Sequence, residues 1–490
     1  MLNGVYYLAA LGLFLALSLI APMLVGLFAG EFDVVVRLGQ YLVLGSFFCI
    51  AVLFSLTGRK RGAGKIGSYV LAVLIWVVTP FYVAFPMADI SGLGYLDAVF
   101  ETVSSLTTTG ATVVRDIDAL PRAVVFWRSQ VQWIGGLLTL LTILLFLAPS
   151  GVGGLPTIHS SSISRAAAWN DRGKTFVSVI TITRVYLATT SACFIALVLA
   201  GEEPLNAMAL AMMALSTGGM LPQSGSIQTI VGQPAILILS LFLIVGATSV
   251  FWQGMVLNWH IKDLRKHRES YSIILLVVAL SLVIAALLYN AAGSSDVLSA
   301  KEALIEGFFN AASLVSTNGI ETREGVFALL PITLVVFIVI IGGGTFSTAG
   351  GLKHYRIGGM LVLSLREIRR LIYPSAIGSE KFGSQAYDSN LLQAIWSYFT
   401  VAILALCLFT FVLNMNGISF NAALIAALSA FSNIGPLYNS AWSSQAGGEW
   451  PAFADFSNLS KITIMVLMVL GRIEILAVLA VLNIKFWLRR

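Results

Sequence analysis

Residues 96–113 read LDAVFETVSSLTTTGATV, a short apolar segment that ends in a run of hydroxyl residues around one glycine. It lies between two stretches that are apolar enough to cross a membrane, but its own roughly ten apolar residues are too few to do so. Non-helical backbone at membrane depth is tolerated only where it packs within protein or lines a water-filled path. The segment therefore predicts a short helix that enters the membrane and stops at a pore.

Three further segments follow the same plan. Each has an acidic residue or Asn near its start, then small and apolar residues, and then a Ser three residues before a glycine. The glycines recur roughly every 110 residues, a spacing typical of an internal repeat. A single copy is ordinarily only a turn, but a turn needs no apolar half-helix before it. The copies are LNAMALAMMALSTGGMLP (205–222), IEGFFNAASLVSTNGIET (305–322) and FNAALIAALSAFSNIGPLY (420–438).

The whole chain has the composition of a polytopic membrane protein, since 58% of its 490 residues are hydrophobic and only 11% are charged. Most Lys and Arg residues lie in the tail and in the loops 58–66, 159–174, 260–270 and 353–383. The positive-inside rule places these loops and both termini in the cytoplasm. Ten spans are predicted, at 5–29, 38–57, 67–86, 123–149, 176–200, 233–257, 271–293, 327–349, 391–413 and 462–486.

These features predict an all-α polytopic membrane protein. Four pseudo-repeats of helix, pore loop and helix surround a central pore, and a two-helix hairpin is added at the N-terminus. The predicted units are the hairpin (1–66), pore repeat 1 (67–158), pore repeat 2 (159–264), pore repeat 3 with an intramembrane gating loop (265–380) and pore repeat 4 (381–490).

Four helix C-termini that meet on one axis favour a cation there, because each carries the negative end of a helix dipole. Backbone carbonyls beyond each helix end can replace the hydration shell of an alkali cation. A glycine such as Gly110 permits backbone angles that a side chain would oppose. The candidate filter residues are Thr107, Thr108, Thr109, Gly110, Ser216, Thr217, Gly218, Gly219, Ser316, Thr317, Asn318, Gly319, Ser432, Asn433, Ile434 and Gly435.

A second unusual stretch is FIVIIGGGTFSTAGGLKHYR at 337–356, in which five glycines fall within ten residues. Each interior glycine destabilises a helix by about 1 kcal/mol relative to Ala. The functional interpretation is a loop beneath the filter that opens or closes it, and the alternative is close helix packing through small residues. The candidate gating residues are Gly342, Gly343, Gly344, Thr345, Ser347, Gly350 and Gly351.

Arg472 and Glu474 lie near the middle of the last predicted span, where charges ordinarily face a polar interior. We expect Arg472 to face the pore below the filter as a fixed positive charge that limits cation flow. The alternative is a structural contact with a carbonyl or acid of another span. Being two residues apart, they are not expected to pair with each other. The acids Asp97, Glu101 and Glu306 either attract cations or favour helix N-termini.

Other classes of protein have little support. The four histidines show no metal-ligand spacing, and Cys49, Cys193 and Cys407 lie within apolar spans, so neither an enzyme nor a disulfide framework is expected. The net charge of +6 follows from the basic inner loops, and no motif indicates nucleic-acid binding. The chain has no nucleotide-binding motif, so no organic cofactor is expected.

The motifs TTTGAT, STGGM, STNGI and SNIGP, followed by GGGTFSTAGG and GRIEIL, resemble those of the TrkH/TrkG family of potassium-uptake proteins over nearly the whole chain. The extra N-terminal spans are similar to TrkH and TrkG rather than to the shorter KtrB branch. The resemblance implies K⁺ as the ion bound and transported, a gate at Gly342–Gly351 and a barrier at Arg472. It also implies a homodimer in the bacterial inner membrane and a cytosolic TrkA-like nucleotide-binding regulatory ring. Asn318 and Ile434 stand at variable filter positions, where they could alter Na⁺ exclusion.

The predicted function is therefore K⁺ uptake down its electrochemical gradient. One alternative is a symporter that couples K⁺ to H⁺ or Na⁺, although Glu474 is the only acid near the midplane. A membrane scaffold or sensor is the other alternative, and it gives no reason for four half-helices that end in glycine.

Overall fold

The computed structural model describes residues 2–58, 65–147, 172–259, 264, 267–291, 299–373, 381–382, 385–386, 389–438 and 450–482. The predicted unit boundary at 158, most of the basic loop 159–174 and the tail 483–490 lie outside these residues. Within them the chain is almost entirely helical, apart from the connecting loops and one minimal antiparallel hairpin, Lys381–Phe382 with Gln385–Ala386. The predicted all-α membrane fold is confirmed.

The chain begins with three apolar helices, α1 (Leu2–Ser18), α2 (Ile20–Ala29) and α3 (Phe32–Ser55). The first two form one apolar stretch from Gly4 to Ala29. Few of the side chains of these helices are buried, and the exposed ones are largely apolar. Such a surface is suited to lipid rather than to water.

A three-part unit then occurs four times: a long helix, a short helix and a second long segment. The helices of the first unit are α4 (Lys65–Ser91), α5 (Tyr95–Leu106) and α6 (Arg122–Thr142), the last continued by a π-helical turn at Ile143–Leu147. The second unit contains α7 (Arg172–Leu199), α8 (Pro204–Ser216), the single turn α9 (Ile227–Ile230), α10 (Gln233–Ala247) and α11 (Val250–Leu257).

The third unit contains α12 (Arg268–Ala291), α13 (Ala300–Val315), α14 (Ile332–Ile341) and α15 (His354–Ile372). The fourth contains α16 (Ser389–Met415), α17 (Phe420–Phe431), α18 (Asn458–Ile473) and α19 (Ile475–Leu482). The short helices α5, α8, α13 and α17 lie at all four predicted pore segments. They form the centre of the molecule: nine of the twelve residues of α5 are buried, and so are nine of the twelve of α17.

The predicted spans are partly wrong. Among the described residues, six helices are long and apolar enough to cross a membrane without interruption, and two further candidates are bent pairs. The predicted span 233–257 turns by 116° between α10 and α11, and 462–486 turns by 104° between α18 and α19. The predicted span 327–349 is not a continuous helix at all, because α14 ends at Ile341 and Gly342 takes a φ of +66°.

Candidate functional site

The four short helices end in the same backbone conformation. One residue just beyond each helix is left-handed, and the next amide donates to a carbonyl five residues earlier, which is the pattern of a Schellman cap. The left-handed residues are Thr108 (φ 53°), Thr217 (54°), Thr317 (57°) and Asn433 (52°). The hydrogen bonds run from Thr109 to Ser104 (2.8 Å), Gly218 to Met213 (3.3 Å), Asn318 to Ser313 (2.9 Å) and Ile434 to Ser429 (2.8 Å).

These left-handed residues are not glycines. The conformation costs roughly 1–2 kcal/mol for a residue with a side chain, and such strain collects at functional sites. From the sequence the unusual backbone angles are expected at the glycines, so these four positions are named as filter residues but not as left-handed ones. The only sign of them in the sequence is that a polar residue stands two positions before each of the four filter glycines.

Two residues further on, Gly110, Gly219 and Gly319 are left-handed too, with φ of 79°, 77° and 83°. Gly435 is different, because it begins a 3-10 turn, Gly435–Leu437, with Pro436 in second place. The expectation that glycine supplies a special backbone angle thus fits three repeats, and at Gly435 the reason for glycine is space alone.

The four glycines are the points at which neighbouring repeats touch. A Cβ added to Gly110 would lie 1.9 Å from the Gly218 carbonyl oxygen, and a Cβ on Gly219 would lie 2.4 Å from that of Asn318. The series continues from Gly319 to Ile434 Cγ1 (2.7 Å) and from Gly435 back to the Ala111 amide (2.2 Å). Repeats 1, 2, 3 and 4 therefore form a closed ring in that order.

The ring lies at the floor of one cavity. Its volume is about 480 Å³, and Gly110, Gly219, Gly319 and Gly435 all line it. All sixteen candidate filter residues are buried and belong to this ring. In one place the ring is also closed by a hydrogen bond, from the Gly435 amide to the Thr109 carbonyl at 2.6 Å.

Glycines on the second helices allow those helices to approach the ends of the short ones. A Cβ on Gly135 would lie 2.0 Å from the Leu106 carbonyl oxygen, and a Cβ on Gly471 would lie 1.9 Å from that of Phe431. At Gly246 the nearest atom is Thr217 Cγ2, at 2.8 Å. These three repeats therefore each have a glycine at this level, and the reason is steric in each.

The glycine-rich segment of repeat 3 lies against the helix ends of repeats 2, 3 and 4. The Thr348 hydroxyl donates to the Leu215 carbonyl at 2.8 Å, and the Gly350 amide donates to the Thr317 hydroxyl at 2.6 Å. A Cβ on Gly350 would lie 1.9 Å from the Ser432 carbonyl oxygen. The seven candidate gating residues, Gly342, Gly343, Gly344, Thr345, Ser347, Gly350 and Gly351, are buried in this contact.

Further hydrogen bonds fix the rest of this loop. The Gly344 amide donates to the Ala247 carbonyl at 2.8 Å, which ties the loop to the break between α10 and α11. The Thr345 amide and hydroxyl both donate to the Glu269 carboxylate, at 2.7 and 3.0 Å. Residues 342–353 therefore form a hydrogen-bonded loop rather than a helix that packs closely through small residues.

Arg472 lies against the remaining helix end, that of repeat 1. Its Nη2 donates to the Thr108 hydroxyl at 2.5 Å and its Nε to the Thr139 hydroxyl at 2.8 Å, and the residue is 5% exposed. Within the described part of the chain no carboxylate forms a salt bridge with it. Since its two observed partners are hydroxyls, the alternative of a structural contact with a carbonyl or acid is not what the geometry favours.

Glu474 pairs with Arg356 at 2.6 Å rather than with Arg472, and the Arg356 guanidinium stacks on the Tyr398 ring at 3.9 Å. The nearby ammonium of Lys353 donates to the carbonyl of Ala349. Residues 353–383 are predicted to be a basic cytoplasmic loop, but Lys353 and Arg356 at its start are buried and make these contacts.

The three acids singled out from the sequence all have basic partners. Asp97 pairs with Lys461 at 2.6 Å, Glu101 with Arg128 at 3.2 Å and Glu306 with Arg323 at 2.7 Å. Glu101 is wholly buried and lies in the middle of α5, so neither of the two expected roles describes it.

Comparison with known proteins gives consistent relatives. The family profile described as "TrkH: Cation transport protein" matches residues 51–486. The Trk system potassium uptake protein TrkH of Vibrio parahaemolyticus is 29% identical over 440 residues, which covers 87% of this chain and 89% of that protein. TrkG of Escherichia coli is 28% identical over 437 residues and covers 88% of each chain. The crystal structure of the potassium transporter TrkH from V. parahaemolyticus superposes with a TM-score of 0.86 at 26% identity, over 99% of both chains.

Proposed function

Because the chain belongs to the TrkH family of cation transport proteins, we propose that it carries out K⁺ uptake through the ring of four helix ends. The family consists of transporters, so the chain is not an enzyme and K⁺ is its cargo. The observation that carries the proposal is the ring itself, in which four glycines on one chain bring four helix C-termini to one axis.

The chemistry of the ring suits a desolvated cation. Each short helix directs the negative end of its dipole at the axis. Carbonyls of the segments from Thr107 to Gly110 and their equivalents then replace water around K⁺, without a charged side chain that would hold the ion too tightly. The four sets of filter residues named from the sequence are the proposed ion ligands.

The elements beneath the ring support a closed gate. The glycine-rich loop contacts the helix ends of three repeats, and Arg472 contacts that of the fourth. The ends of all four short helices are therefore covered by the loop or by Arg472. Opening requires the loop to leave Thr317 and Leu215, and it requires Arg472 to move or its charge to be outweighed by entering ions.

The names of the relatives support the wider setting. A Trk system implies a TrkA-like nucleotide-binding regulatory subunit, and we infer that it acts from the cytosol on a homodimer of this chain in the inner membrane, with both termini cytoplasmic. A regulator of this kind would act through the loop, since α15 joins the loop directly to the inner surface.

Coupling to H⁺ or Na⁺ is the rival mechanism, and it needs a carrier group. Glu474 is the one acid near the midplane that the sequence offered, and it is held in a 2.6 Å ion pair with Arg356. The carboxylate therefore has a structural partner in Arg356, which gives no support to a role as the carrier.

The test is K⁺ flux into liposomes that contain the purified protein, with a membrane potential and Na⁺ competition. We expect potential-driven, Na⁺-resistant flux that Gly110→Ser abolishes or makes unselective, because its Cβ would overlap the Gly218 carbonyl. Gly94→Ser is the matched control, since a Cβ there meets nothing within 4 Å and Ser is a favourable residue before a helix. Flux that requires a proton or Na⁺ gradient would instead establish the symporter, and absence of flux would favour a scaffold.

A further inference from the structure

The backbone just beyond the filter is tied to the short helix by a buried carboxylate in repeat 1. One oxygen of Glu101 accepts hydrogen bonds from the Val113 amide (2.6 Å), the Val114 amide (3.3 Å) and the Thr112 hydroxyl. Its other oxygen accepts from Arg128 Nη2 at 3.2 Å. Glu101 is 0% exposed and Arg128 2%, so this ion pair is fully buried. Its carboxylate holds three consecutive residues that follow shortly after Gly110.

Repeat 3 has the same connection in neutral form. Asn310, like Glu101, stands nine residues before its filter glycine and is wholly buried. Its Oδ1 accepts from the Thr322 amide at 3.1 Å, and its Nδ2 donates to the Thr322 hydroxyl at 2.6 Å. Thr322 stands three residues after Gly319, as Val113 does after Gly110. A different side chain therefore makes the same backbone contact at the same position.

The other two repeats lack this connection. The residues that correspond to Glu101 are Leu210 and Ala426, which have no polar side-chain atom. Pro222, three residues after Gly219, has no amide hydrogen to donate, and the Tyr438 amide donates to the Gly435 carbonyl instead. Since the repeats follow one another around the ring, the two connected repeats lie diagonally opposite.

We propose that Glu101 and Asn310 are positioning residues that set the K⁺-over-Na⁺ preference of the filter. The inference rests on the proposed function. Each side chain holds a backbone amide in place. Without it, the peptide could rotate so that its N–H points toward the pore, where the N–H would repel a cation. The same rotation would turn a carbonyl away from the ion. Selectivity depends on the number and field strength of the carbonyls presented to the ion, so fixing two opposite strands of the ring sets that field.

The test compares K⁺ and Na⁺ flux of purified variants in liposomes. Asn310→Leu removes the connection in repeat 3 without leaving a buried charge, and Asn310→Asp keeps the acceptor for the backbone amide. Glu101→Leu is the variant for repeat 1, because Gln would keep a carbonyl acceptor for the Val113 amide and Leu is the residue at the corresponding position of repeat 2. The matched control is Asn206→Leu, which makes the same chemical change as Asn310→Leu in the first turn of a short helix, where the Asn206 amide donates to Glu203.

We expect Asn310→Leu and Glu101→Leu each to lower the K⁺-to-Na⁺ flux ratio roughly tenfold, the factor that corresponds to the loss of one buried hydrogen bond. Asn310→Asp and Asn206→Leu should keep the wild-type ratio, which a merely structural role of Asn310 would not predict. If Glu101→Leu fails to fold because Arg128 loses its partner, Asn310→Leu alone decides.

A folded Asn310→Leu protein with the wild-type ratio would overturn the inference, even if its total flux fell. Failure of the proposed function looks different, because the wild-type protein itself would then show no K⁺ preference.

Discussion

Removal of the Arg472 guanidinium should increase K⁺ flux through the closed protein. The side chain is buried against the end of α5 at the proposed filter, and its two hydroxyl partners, Thr108 and Thr139, do not neutralise its charge. Arg472→Ala leaves those hydroxyls free to bond to water or to a passing ion. The rest of α18 is unaffected, because Ala is the residue that a helix favours most.

The size of the effect follows from the distance between the charge and the ion path. Arg472 Nη2 lies 2.5 Å from Thr108 Oγ1, so a K⁺ ion at the level of this hydroxyl is about 5 Å from the guanidinium. Two unit charges about 5 Å apart repel by about 3 kcal/mol at an effective dielectric constant of about 20. This corresponds to roughly two orders of magnitude in ion occupancy at that point. Because the loop still covers the other three helix ends, we expect K⁺ flux to increase by about tenfold rather than by the roughly two orders of magnitude that the charge alone would give.

The assay is the rate of K⁺ entry into liposomes at a fixed membrane potential, normalised to the amount of folded protein. Arg472→Lys is the control, since it keeps the charge and changes the geometry, and it should remain near the wild-type rate. An unchanged rate in Arg472→Ala would refute the reasoning, and so would an equal increase in Arg472→Lys, because the charge would then not be the barrier.

Two further predictions concern the elements around Arg472. Gly350→Ala should also raise K⁺ flux in the same assay, because its Cβ would lie 1.9 Å from the Ser432 carbonyl oxygen and the loop could no longer sit against the ring; a rate equal to wild type would contradict the proposed gate. Glu474→Gln should lower the thermal unfolding midpoint in detergent, since removing one charge of a buried ion pair costs about 3–5 kcal/mol. Asp89→Asn, in an exposed ion pair worth at most about 1 kcal/mol, should leave the midpoint unchanged, and equal shifts would disprove the role of burial.

The four short helices could be predicted because their signal is local. An apolar segment too short to span, followed by a polar residue and glycine, already specifies a helix, its length and its end. In the structure α17 (Phe420–Phe431) lies within its quoted segment, and α5 (Tyr95–Leu106) begins one residue before its own. The level of Arg472 was predictable for a similar reason, because a charge in mid-membrane has few places to lie.

The left-handed residues could not be predicted, because nothing local favours them. Thr108 and Thr317 are poor residues for this conformation, and each has a side-chain contact from a distant part of the chain. The Thr108 hydroxyl accepts from Arg472, 364 residues away, and the Thr317 hydroxyl accepts from the Gly350 amide. Such contacts exist only once the repeats have assembled.

The broken spans were missed for a different reason. Hydropathy measures how apolar a stretch is and carries no information about its direction. The apolar windows therefore gave no sign of the turns at Thr248–Ser249 and at Glu474. The burial of Arg356 was equally hidden, since its partner Glu474 lies 118 residues further along the chain.

The ring of four repeats is made by a single polypeptide, and this has a consequence for how the pore diverges in evolution. Arg472 directly follows Gly471, the glycine that packs against a short helix. The corresponding positions of repeats 1 and 2 are Gly136 and Ala247, which directly follow Gly135 and Gly246. A pore assembled from four identical subunits can carry either four arginines at this level or none. When the four repeats lie on one gene, each can change separately, so a single arginine at this level is possible. The electrostatic barrier can then be adjusted one charge at a time, which a symmetric tetramer cannot do.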